Sequence, residues 1–311
     1  MPVIITLNSI MDKIIVTGGA GFIGSHIVNA LVDLGYEVHA VDNLYSGKKE
    51  NVNSKAVLHI VDVRDKEKLI SIFKNAKYVF HEAALPQVQY SIENPIETHE
   101  INVTGLLNVL EASRVNNVKR LVFAASSAAY GNQEILPLVE TMEAQPLSPY
   151  GTHKYIGEIY CSLWSRIYSL ETVSLRYFNV YGLGQSSTGA YASVVPRFID
   201  LRKEGKPLTI VGTGDQTRDF VNIKEVVSAN LKAMRSDKVG KGEVINIGSG
   251  HQVSVNRVAE LIGGAVEYVG ARIETTNTRA DIRKAKELLG WEPEIALAEG
   301  IAELKRINNL N

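Results

Sequence analysis

The stretch KIIVTGGAGFIG, residues 13–24, decides how this chain begins to fold. Residues 13–17 are mostly β-branched and predict a short buried strand. Three glycines follow in the spacing G-x-x-G-x-x-G, at Gly18, Gly21 and Gly24, and a helical pattern begins among them. Such a turn lets the backbone approach a pyrophosphate closely, and the N–H groups at the start of the helix stabilise its charge. We therefore predict a dinucleotide site at this turn.

The rest of the first half repeats the alternation of strands and helices. Strands are predicted at 37–42, 57–61, 78–80, 120–125 and 172–177, and helices near 65–74, 95–114 and 150–169. This alternation is typical of parallel βαβ units. With the glycine turn, it predicts an α/β, Rossmann-type doubly wound parallel sheet. We place this dinucleotide-binding domain at residues 11–178.

From about residue 179 the predicted elements become shorter and their connections richer in glycine. Strands are predicted at 208–211 and 244–247, and helices at 224–234, 254–262 and 281–289. We interpret residues 179–311 mostly as a smaller α/β substrate-binding domain, with some segments returning to the main sheet. Ligands of open α/β sheets bind outside the carboxyl ends of the strands, so we expect a cleft between the two parts.

The composition argues against several other classes of protein. Of the 311 residues, 45% are hydrophobic and 22% are charged, and the net charge is -1, so we expect no nucleic-acid partner. Cys161 is the one cysteine, and the seven histidines show no paired ligand spacing, so we predict neither disulfides nor a metal site. No apolar run reaches the roughly 18 residues of a membrane span, and the opening residues lack the features of a secretory signal. We expect a cytoplasmic protein without membrane contact.

Asp42, at the end of the second predicted strand, indicates which dinucleotide binds. A carboxylate at this position can accept hydrogen bonds from both hydroxyls of the adenosine ribose. It would repel a 2′-phosphate, and the residues that follow, beginning with Asn43, bring no compensating arginine. We therefore predict NAD rather than NADP. Asn43 is a predicted cofactor contact as well. Asp62 and Val63 follow the third predicted strand and are placed to meet the adenine.

Tyr150 and Lys154 lie four residues apart, on one face of a predicted helix. A phenol has a pKa of about 10, so it acts as a base at neutral pH only when its anion is stabilised. An ammonium group one turn away provides such stabilisation. Ser126 and Ser127 end the fifth strand at the same sheet edge, where a hydroxyl can pass a hydrogen bond between a substrate hydroxyl and the tyrosine. We predict that Ser126, Tyr150 and Lys154 are catalytic.

Together these motifs resemble the extended short-chain dehydrogenase/reductase family, within it the nucleotide-sugar 4-epimerases of the UDP-glucose and UDP-N-acetylglucosamine 4-epimerase types. The motifs that carry the resemblance are TGGAGFIG (17–24), VDN (41–43), HEAA (81–84), INVTGLLNVLEA (101–112), FAASSAAYG (123–131), YGTHK (150–154), LRYFNVYG (175–182) and TRDFVNI (217–223). The resemblance implies further NAD contacts from Phe22, Ile23, Ala83, Ala84, Asn102, Tyr150, Lys154 and Phe178.

The resemblance also implies a reaction. Tyr150 would remove the proton of the sugar 4-hydroxyl while hydride passes from C4 to NAD, and the hydride would return to the other face of the 4-keto sugar. Similar dehydratases carry an Asp-Glu pair where this chain has Ser127 and Ala128, and similar decarboxylases carry a glutamate nearby. We therefore expect a UDP-hexose 4-epimerase. The alternatives are a net NAD-dependent nucleotide-sugar oxidoreductase and a non-catalytic NAD-binding regulatory protein.

The resemblance places substrate contacts mainly in the second half of the chain. They are Ser126, Ser127, Asn179, Ser193, Val194, Arg218, Arg272 and Glu274. Glu274 matches a family carboxylate that binds the ribose, whereas Arg272 is one residue offset from the family's arginine.

Thr278 stands where a tyrosine in this family restricts the enzyme to glucose and galactose. The small residue implies room for an N-acetyl group. The stretch VQYS at 88–91 departs from the V-P-R-S form of N-acetyl-preferring relatives, so we expect activity on both kinds of sugar. The helices at 95–114 and 150–169 resemble a four-helix dimer interface, and we expect a homodimer.

Overall fold

The computed structural model describes residues 11–187, 193–270 and 277–310. The strands are β1 (Lys13–Thr17), β2 (Glu37–Asp42), β3 (Val57–Ile60), β4 (Ala76–His81), β5 (Arg120–Ser126), β6 (Glu171–Tyr177), β7 (Val180–Tyr181), β8 (Leu208–Val211), β9 (Thr217–Arg218), β10 (Val221–Asn222), β11 (Lys241–Ile247), β12 (Val253–Ser254) and β13 (Val266–Val269).

The helices include several that begin directly after a strand. They are α1 (Phe22–Asp33), α2 (Lys66–Ile72), α3 (Val88–Glu93), α4 (Pro95–His99), α5 (Gly105–Val115), α6 (Pro149–Tyr168), α7 (Val194–Lys203), α8 (Ile223–Arg235), α9 (Val255–Ile262), α10 (Arg283–Leu289) and α11 (Leu297–Ile307). Short 3₁₀ turns cover Lys49–Asn51 and Ser127–Ala129, and a π-helical turn covers Glu100–Thr104.

A seven-stranded sheet forms the centre of the molecule, in the order β11-β6-β5-β4-β1-β2-β3. Every neighbouring pair in it is parallel. The predicted α/β, Rossmann-type sheet is therefore confirmed. The strand order reverses between β1 and β4, and ligands of such sheets bind at this reversal, beyond the carboxyl ends of the strands.

Helices cover both faces of the sheet. Val16 and Leu175 belong to the apolar cluster on one face, which α1 and α8 complete. Ile15 and Leu121 belong to the cluster on the other face, with α2, α5 and α6. Successive side chains of a strand point to opposite faces, so a strand that is covered on both sides is apolar throughout. This is why β1 and β5 stand out in the sequence.

The predicted helix over 95–114 is interrupted in the structure. It ends at His99, continues as the π-helical turn, and resumes as α5 at Gly105. An extra residue in one helical turn redirects the side chains that follow it. Asn102, a predicted cofactor contact, lies in this π-helical turn.

The second part of the chain contributes a strand to the main sheet. The strand predicted at 244–247 belongs to β11, which pairs with β6 at the edge of the central sheet. Helix α8 packs against α1 on one face of that sheet. The other short strands form two-stranded pairs, β7 with β10, β8 with β13 and β9 with β12. The division of the chain near residue 178 stays a prediction.

The described residues contain neither a membrane-spanning helix nor a cluster of metal-binding side chains. None of the helices in these ranges is long and apolar enough to cross a membrane. Within the same ranges, no group of three or more His, Cys, Asp or Glu side chains is arranged to hold a metal ion.

Candidate functional site

The glycine turn after β1 is built so that only glycine fits at two of its positions. Gly18 has a φ of 69°, in the left-handed region that favours glycine. A Cβ on Gly24 would lie 2.1 Å from the carbonyl oxygen of Gly18. Helix α1 begins after Gly21 without a side-chain cap, and Phe22 and Ile23 form its half-buried first residues. The first N–H groups of the helix therefore have no partner inside it, and the turn fits a pyrophosphate.

Asp42 is held firmly at the carboxyl end of β2. One carboxylate oxygen accepts a hydrogen bond from the N–H of Ala20 in the glycine turn, at 3.0 Å. The other accepts from the N–H of Leu44 at 2.8 Å. These contacts fix the carboxylate beside the turn, which is the position that ribose recognition requires.

Asp62 lies close to Asn43, and both are predicted cofactor contacts. The Asn43 amide donates to an Asp62 oxygen at 2.8 Å. Arg64 donates to both oxygens of Asp62 at 2.9 Å, and these hydrogen bonds lower the pKa of Asp62 to about 2. Val63 is buried in the apolar cluster that includes α2 and α5. Asp62 is therefore positioned for the predicted adenine contact, whereas the Val63 side chain is committed to the core.

The segment after β4 passes beside the glycine turn. A Cβ on Gly18 would meet the backbone N of Ala83 at 2.7 Å, and both Ala83 and Ala84 are half-buried. Asn102 accepts from the N–H of Leu85 at 2.8 Å and donates to its carbonyl at 3.1 Å. Its side chain therefore braces this segment. Phe178 is fully buried in a small apolar cluster with Tyr130, and its predicted cofactor contact stays a prediction.

Ser126, Tyr150 and Lys154 meet at the carboxyl edge of β5. Tyr150 lies in the first turn of α6, whose N terminus is capped by the Ser148 hydroxyl. Lys154 is one turn further on, with its ammonium nitrogen 5.9 Å from the centre of the Tyr150 ring. That nitrogen donates a 2.6 Å hydrogen bond to the carbonyl of Ala124. The Ser126 side chain forms a hydrogen bond with Tyr150.

The charges around Tyr150 do not by themselves make it a base. Burial raises the pKa of Tyr150, the hydrogen bond with Ser126 lowers it, and the carboxylate of Glu82 raises it. Burial lowers the pKa of Lys154 to about 8, an effect that Glu82 opposes. The sequence predicts a lowered Tyr150 pKa, and in the protein alone the direction is the opposite. Its activation therefore requires further positive charge or hydrogen bonds from the ligands of the site.

Three of the predicted substrate residues converge on the chain around Asp219. The Asn179 amide donates to the Asp219 carbonyl at 3.2 Å. The hydroxyl of Thr278, which is buried, accepts from the N–H of Asp219 at 3.3 Å. Arg218 precedes Asp219 directly, at the end of β9. The structure thus brings Asn179, Arg218 and Thr278 together, although they are up to 99 positions apart in the sequence.

The remaining predicted substrate residues that the structure describes lie on other elements. Ser127 is half-buried in the 3₁₀ turn after β5. Ser193 is exposed and directly precedes α7, and Val194 is the first residue of that helix. Arg272 and Glu274 lie outside the described residues.

Sequence reasoning missed two residues that act on the candidate catalytic group. Ser91 is fully buried, and its hydroxyl accepts from the N–H of Tyr150 at 3.1 Å. Glu82 accepts from the Tyr177 hydroxyl at 3.1 Å, and its charge acts on both Tyr150 and Lys154. Glu82 is the second residue of the HEAA motif. An ionisable residue directly after a buried strand is unusual, and this feature of the sequence could have identified it.

Comparison with known proteins identifies the family. The sequence model of the NAD dependent epimerase/dehydratase family matches residues 14–248. The chain belongs to this family. A relative named putative UDP-glucose 4-epimerase, from Methanocaldococcus jannaschii, is 44% identical over 305 residues, which are 95% of this chain and 97% of that protein. The family and its NAD cofactor are therefore as the sequence predicts.

Solved structures of epimerases share the fold over almost the whole length. A UDP-glucose 4-epimerase from Thermus thermophilus, solved as a complex with NAD, is 36% identical with a TM-score of 0.88 and covers 96% of this chain and 99% of its own. A UDP-N-acetylglucosamine 4-epimerase from Methanobrevibacter ruminantium, in complex with UDP-N-acetylmuramic acid, is 36% identical with a TM-score of 0.91. The match covers 95% of this chain and 97% of that one. The chain is thus similar over almost its whole length to solved UDP-sugar epimerases.

Proposed function

We propose that the protein is a UDP-hexose 4-epimerase acting on both UDP-glucose/UDP-galactose and UDP-N-acetylglucosamine/UDP-N-acetylgalactosamine. The observation that carries this proposal is the group of Ser126, Tyr150 and Lys154 beside the glycine turn. The turn after β5 adds no acid to it, because Ser127 is followed by two alanines. The Ser126 hydroxyl accepts from the N–H of Ala128 at 3.2 Å, which holds this turn against the strand end.

The proposed roles follow from these positions. When bound, NAD supplies the acceptor and the donor of the hydride at C4 of the sugar. Tyr150 accepts the proton of the 4-hydroxyl at its phenolic oxygen and later returns it. Ser126 shares a hydrogen bond with that oxygen, and the positive charge of Lys154 stabilises the phenolate. Pyrophosphate and ribose are bound by the glycine turn and by Asp42.

Inversion at C4 requires that the sugar turns while its nucleotide stays in place. We propose that Asn179 and Arg218 bind the nucleotide diphosphate, with Arg272 and Glu274 contributing from the C-terminal region. Guanidinium groups bind phosphates through paired, charge-assisted hydrogen bonds. Thr278 supports the dual specificity, since its short side chain is turned toward the Asp219 backbone.

We also propose a homodimer. Ile96 on α4 and Ile159 on α6 are 73% and 50% exposed. They lie on the two segments of the expected four-helix interface, and burying such side chains favours association.

The first experiment uses the purified protein without added NAD. It is incubated separately with UDP-galactose and UDP-N-acetylgalactosamine, and the 4-epimers are separated by chromatography while NADH is followed by absorbance. We expect both epimers without net NADH. NAD is then added to a second set of reactions, and NADH that accumulates there without epimer would instead show a net oxidoreductase.

The matched variant for specificity is Thr278→Tyr. We expect it to reduce turnover of the N-acetylated substrate at least tenfold more than that of UDP-galactose. Equal reductions would contradict the role given to Thr278.

A further inference from the structure

The charge of Lys154 needs a partner. The side chain is only 5% exposed, and its ammonium group donates to the carbonyl of Ala124. A carbonyl oxygen satisfies a hydrogen bond but does not balance a charge. A buried ammonium group that is not balanced loses its proton at a lower pH than usual.

The ionisable groups around Lys154 come from three elements. They are Tyr150, Glu158 and Cys161 on α6, His81 and Glu82 at the end of β4, and Arg176 on β6. Most of them cannot supply a free negative charge. Glu158 is bound to Arg176 by two hydrogen bonds of 2.7 Å. Burial raises the pKa of Cys161 to about 12 and lowers that of His81 to about 3, so both are neutral.

Glu82 differs from these groups in position and in bonding. In the β4–β5 register His81 pairs with Phe123, so Glu82 comes level with Ala124, whose carbonyl binds Lys154. From the next strand, the Tyr177 hydroxyl donates to a Glu82 oxygen at 3.1 Å. A carboxylate that accepts from a neutral hydroxyl keeps its charge available to a nearby cation.

Tyr177 is itself oriented from the opposite face of the sheet. The amide of Asn230, on α8, donates to the Tyr177 hydroxyl at 2.8 Å and to the Val226 carbonyl at 2.8 Å. The Tyr177 hydroxyl has two acceptors at 3.1 Å, an oxygen of Glu82 and the amide oxygen of Asn230, and the carboxylate is the stronger of the two. This hydrogen-bonded chain fixes the carboxylate at the sheet edge, level with the lysine.

We propose that Glu82 is a positioning residue that balances the charge of Lys154 and so keeps Lys154 protonated at alkaline pH. The kinetic consequence rests on the proposed function, because protonated Lys154 is what stabilises the Tyr150 phenolate there. Glu82 would thus set the upper limit of the pH range in which the site works.

The direction of the effect follows from the opposing influences on each group. Burial lowers the pKa of Lys154 to about 8, and the charge of Glu82 raises it. Burial raises the pKa of Glu82 to about 7, and the charge of Lys154 lowers it. Removing the carboxylate leaves the burial of Lys154 unopposed. Its pKa should fall, and a fall of one pH unit makes the protonated fraction tenfold smaller at pH values well above both pKa values.

The test compares Glu82→Gln with Glu82→Asp and with Glu97→Gln. Glu97, on α4, also accepts a hydrogen bond from a tyrosine, Tyr90, at 2.6 Å, and is a matched control outside the catalytic group. The pKa of Lys154 is measured by nuclear magnetic resonance on protein with isotope-labelled lysine, and the signal is assigned by its loss in Lys154→Met. The pH profile of kcat/KM is measured on the same proteins.

We expect Glu82→Gln to lower the Lys154 pKa, and to shift the alkaline limb of the profile, by about one pH unit. Glu82→Asp should restore most of the shift, and Glu97→Gln should match the wild type. If Glu82→Gln does not fold, Glu82→Leu, which removes the charge with an apolar side chain, replaces it. An unchanged Lys154 pKa would overturn the proposal, as would a lowered pKa without a shifted profile. The resonance measurement needs no turnover, so an enzyme inactive on every UDP-sugar would refute the proposed function and not this one.

Discussion

Asp219→Asn offers a demanding test of how the second half of the site is held together. Asp219 is fully buried and its carboxylate accepts four hydrogen bonds. One oxygen accepts from the N–H and the hydroxyl of Ser249, at 2.6 and 2.7 Å. The other accepts from the N–H groups of Gly250 and Ala280, both at 2.9 Å. One carboxylate thus joins three segments that are far apart in the sequence.

The asparagine side chain would keep one acceptor oxygen and turn an NH₂ donor toward N–H groups that are themselves donors. One or two buried N–H groups would lose their acceptor, at a cost of about 1–3 kcal/mol each. We therefore expect the free energy of unfolding to fall by about 2–4 kcal/mol. Urea unfolding followed by circular dichroism measures this change. Asp237→Asn, at an exposed acid, is the matched control and should change stability by less than about 0.5 kcal/mol.

The same substitution should separate the two halves of the site. Asn179 and Thr278 are bound to the Asp219 backbone, and Arg218 is its neighbour. The KM for the UDP-sugar should therefore rise, while the amount of NAD bound stays that of the wild type. A variant as stable as the wild type, with an unchanged KM, would refute the reasoning.

Three further predictions concern the cofactor, the base and the dimer. Gly24→Ala should abolish NAD binding, because the new Cβ would lie 2.1 Å from a carbonyl oxygen of the turn. The NAD released when the protein is denatured measures this binding. Gly270→Ala, where a Cβ meets nothing within 4 Å, is the control and should release the normal amount. Tyr150→Phe should lower kcat by about a hundred- to ten-thousand-fold with NAD still bound, and a smaller loss in single-turnover assays would argue that another group removes the proton. Ile159→Glu should convert a dimer to a monomer in light scattering, whereas Ile60→Glu, at a similarly exposed isoleucine on β3, should leave the dimer intact.

Local sequence signals were sufficient for much of the fold. The glycine turn, its strand and its helix follow from conformational requirements of neighbouring residues. A proline is favoured at the first position of a helix, so Pro149 indicates where α6 begins, and Tyr150 lies in its first turn. The four-residue spacing to Lys154 then places both side chains on one helix face without any knowledge of the rest of the chain.

Other features depend on contacts between distant segments, and the sequence indicates them poorly. An apolar run such as 244–247 looks the same whichever sheet it joins, and only pairing with β6 places it in the central one. The π-helical turn at Glu100–Thr104 likewise lies in a stretch whose sequence pattern predicts one continuous helix. Both outcomes are decided by packing, which outweighs local preference.

The sequence by itself indicated the strands and helices of the Rossmann-type fold, the dinucleotide turn and the candidate catalytic side chains, because each of these signals lies within a few neighbouring residues. Only the tertiary structure decided which charges act on those side chains. Glu82 acts on Lys154 from a different strand, and it helps to raise the pKa of Tyr150 where the helix alone predicted a lower one. Electrostatic energies depend on distance and burial in the folded protein, and neither quantity can be read from spacing along the chain.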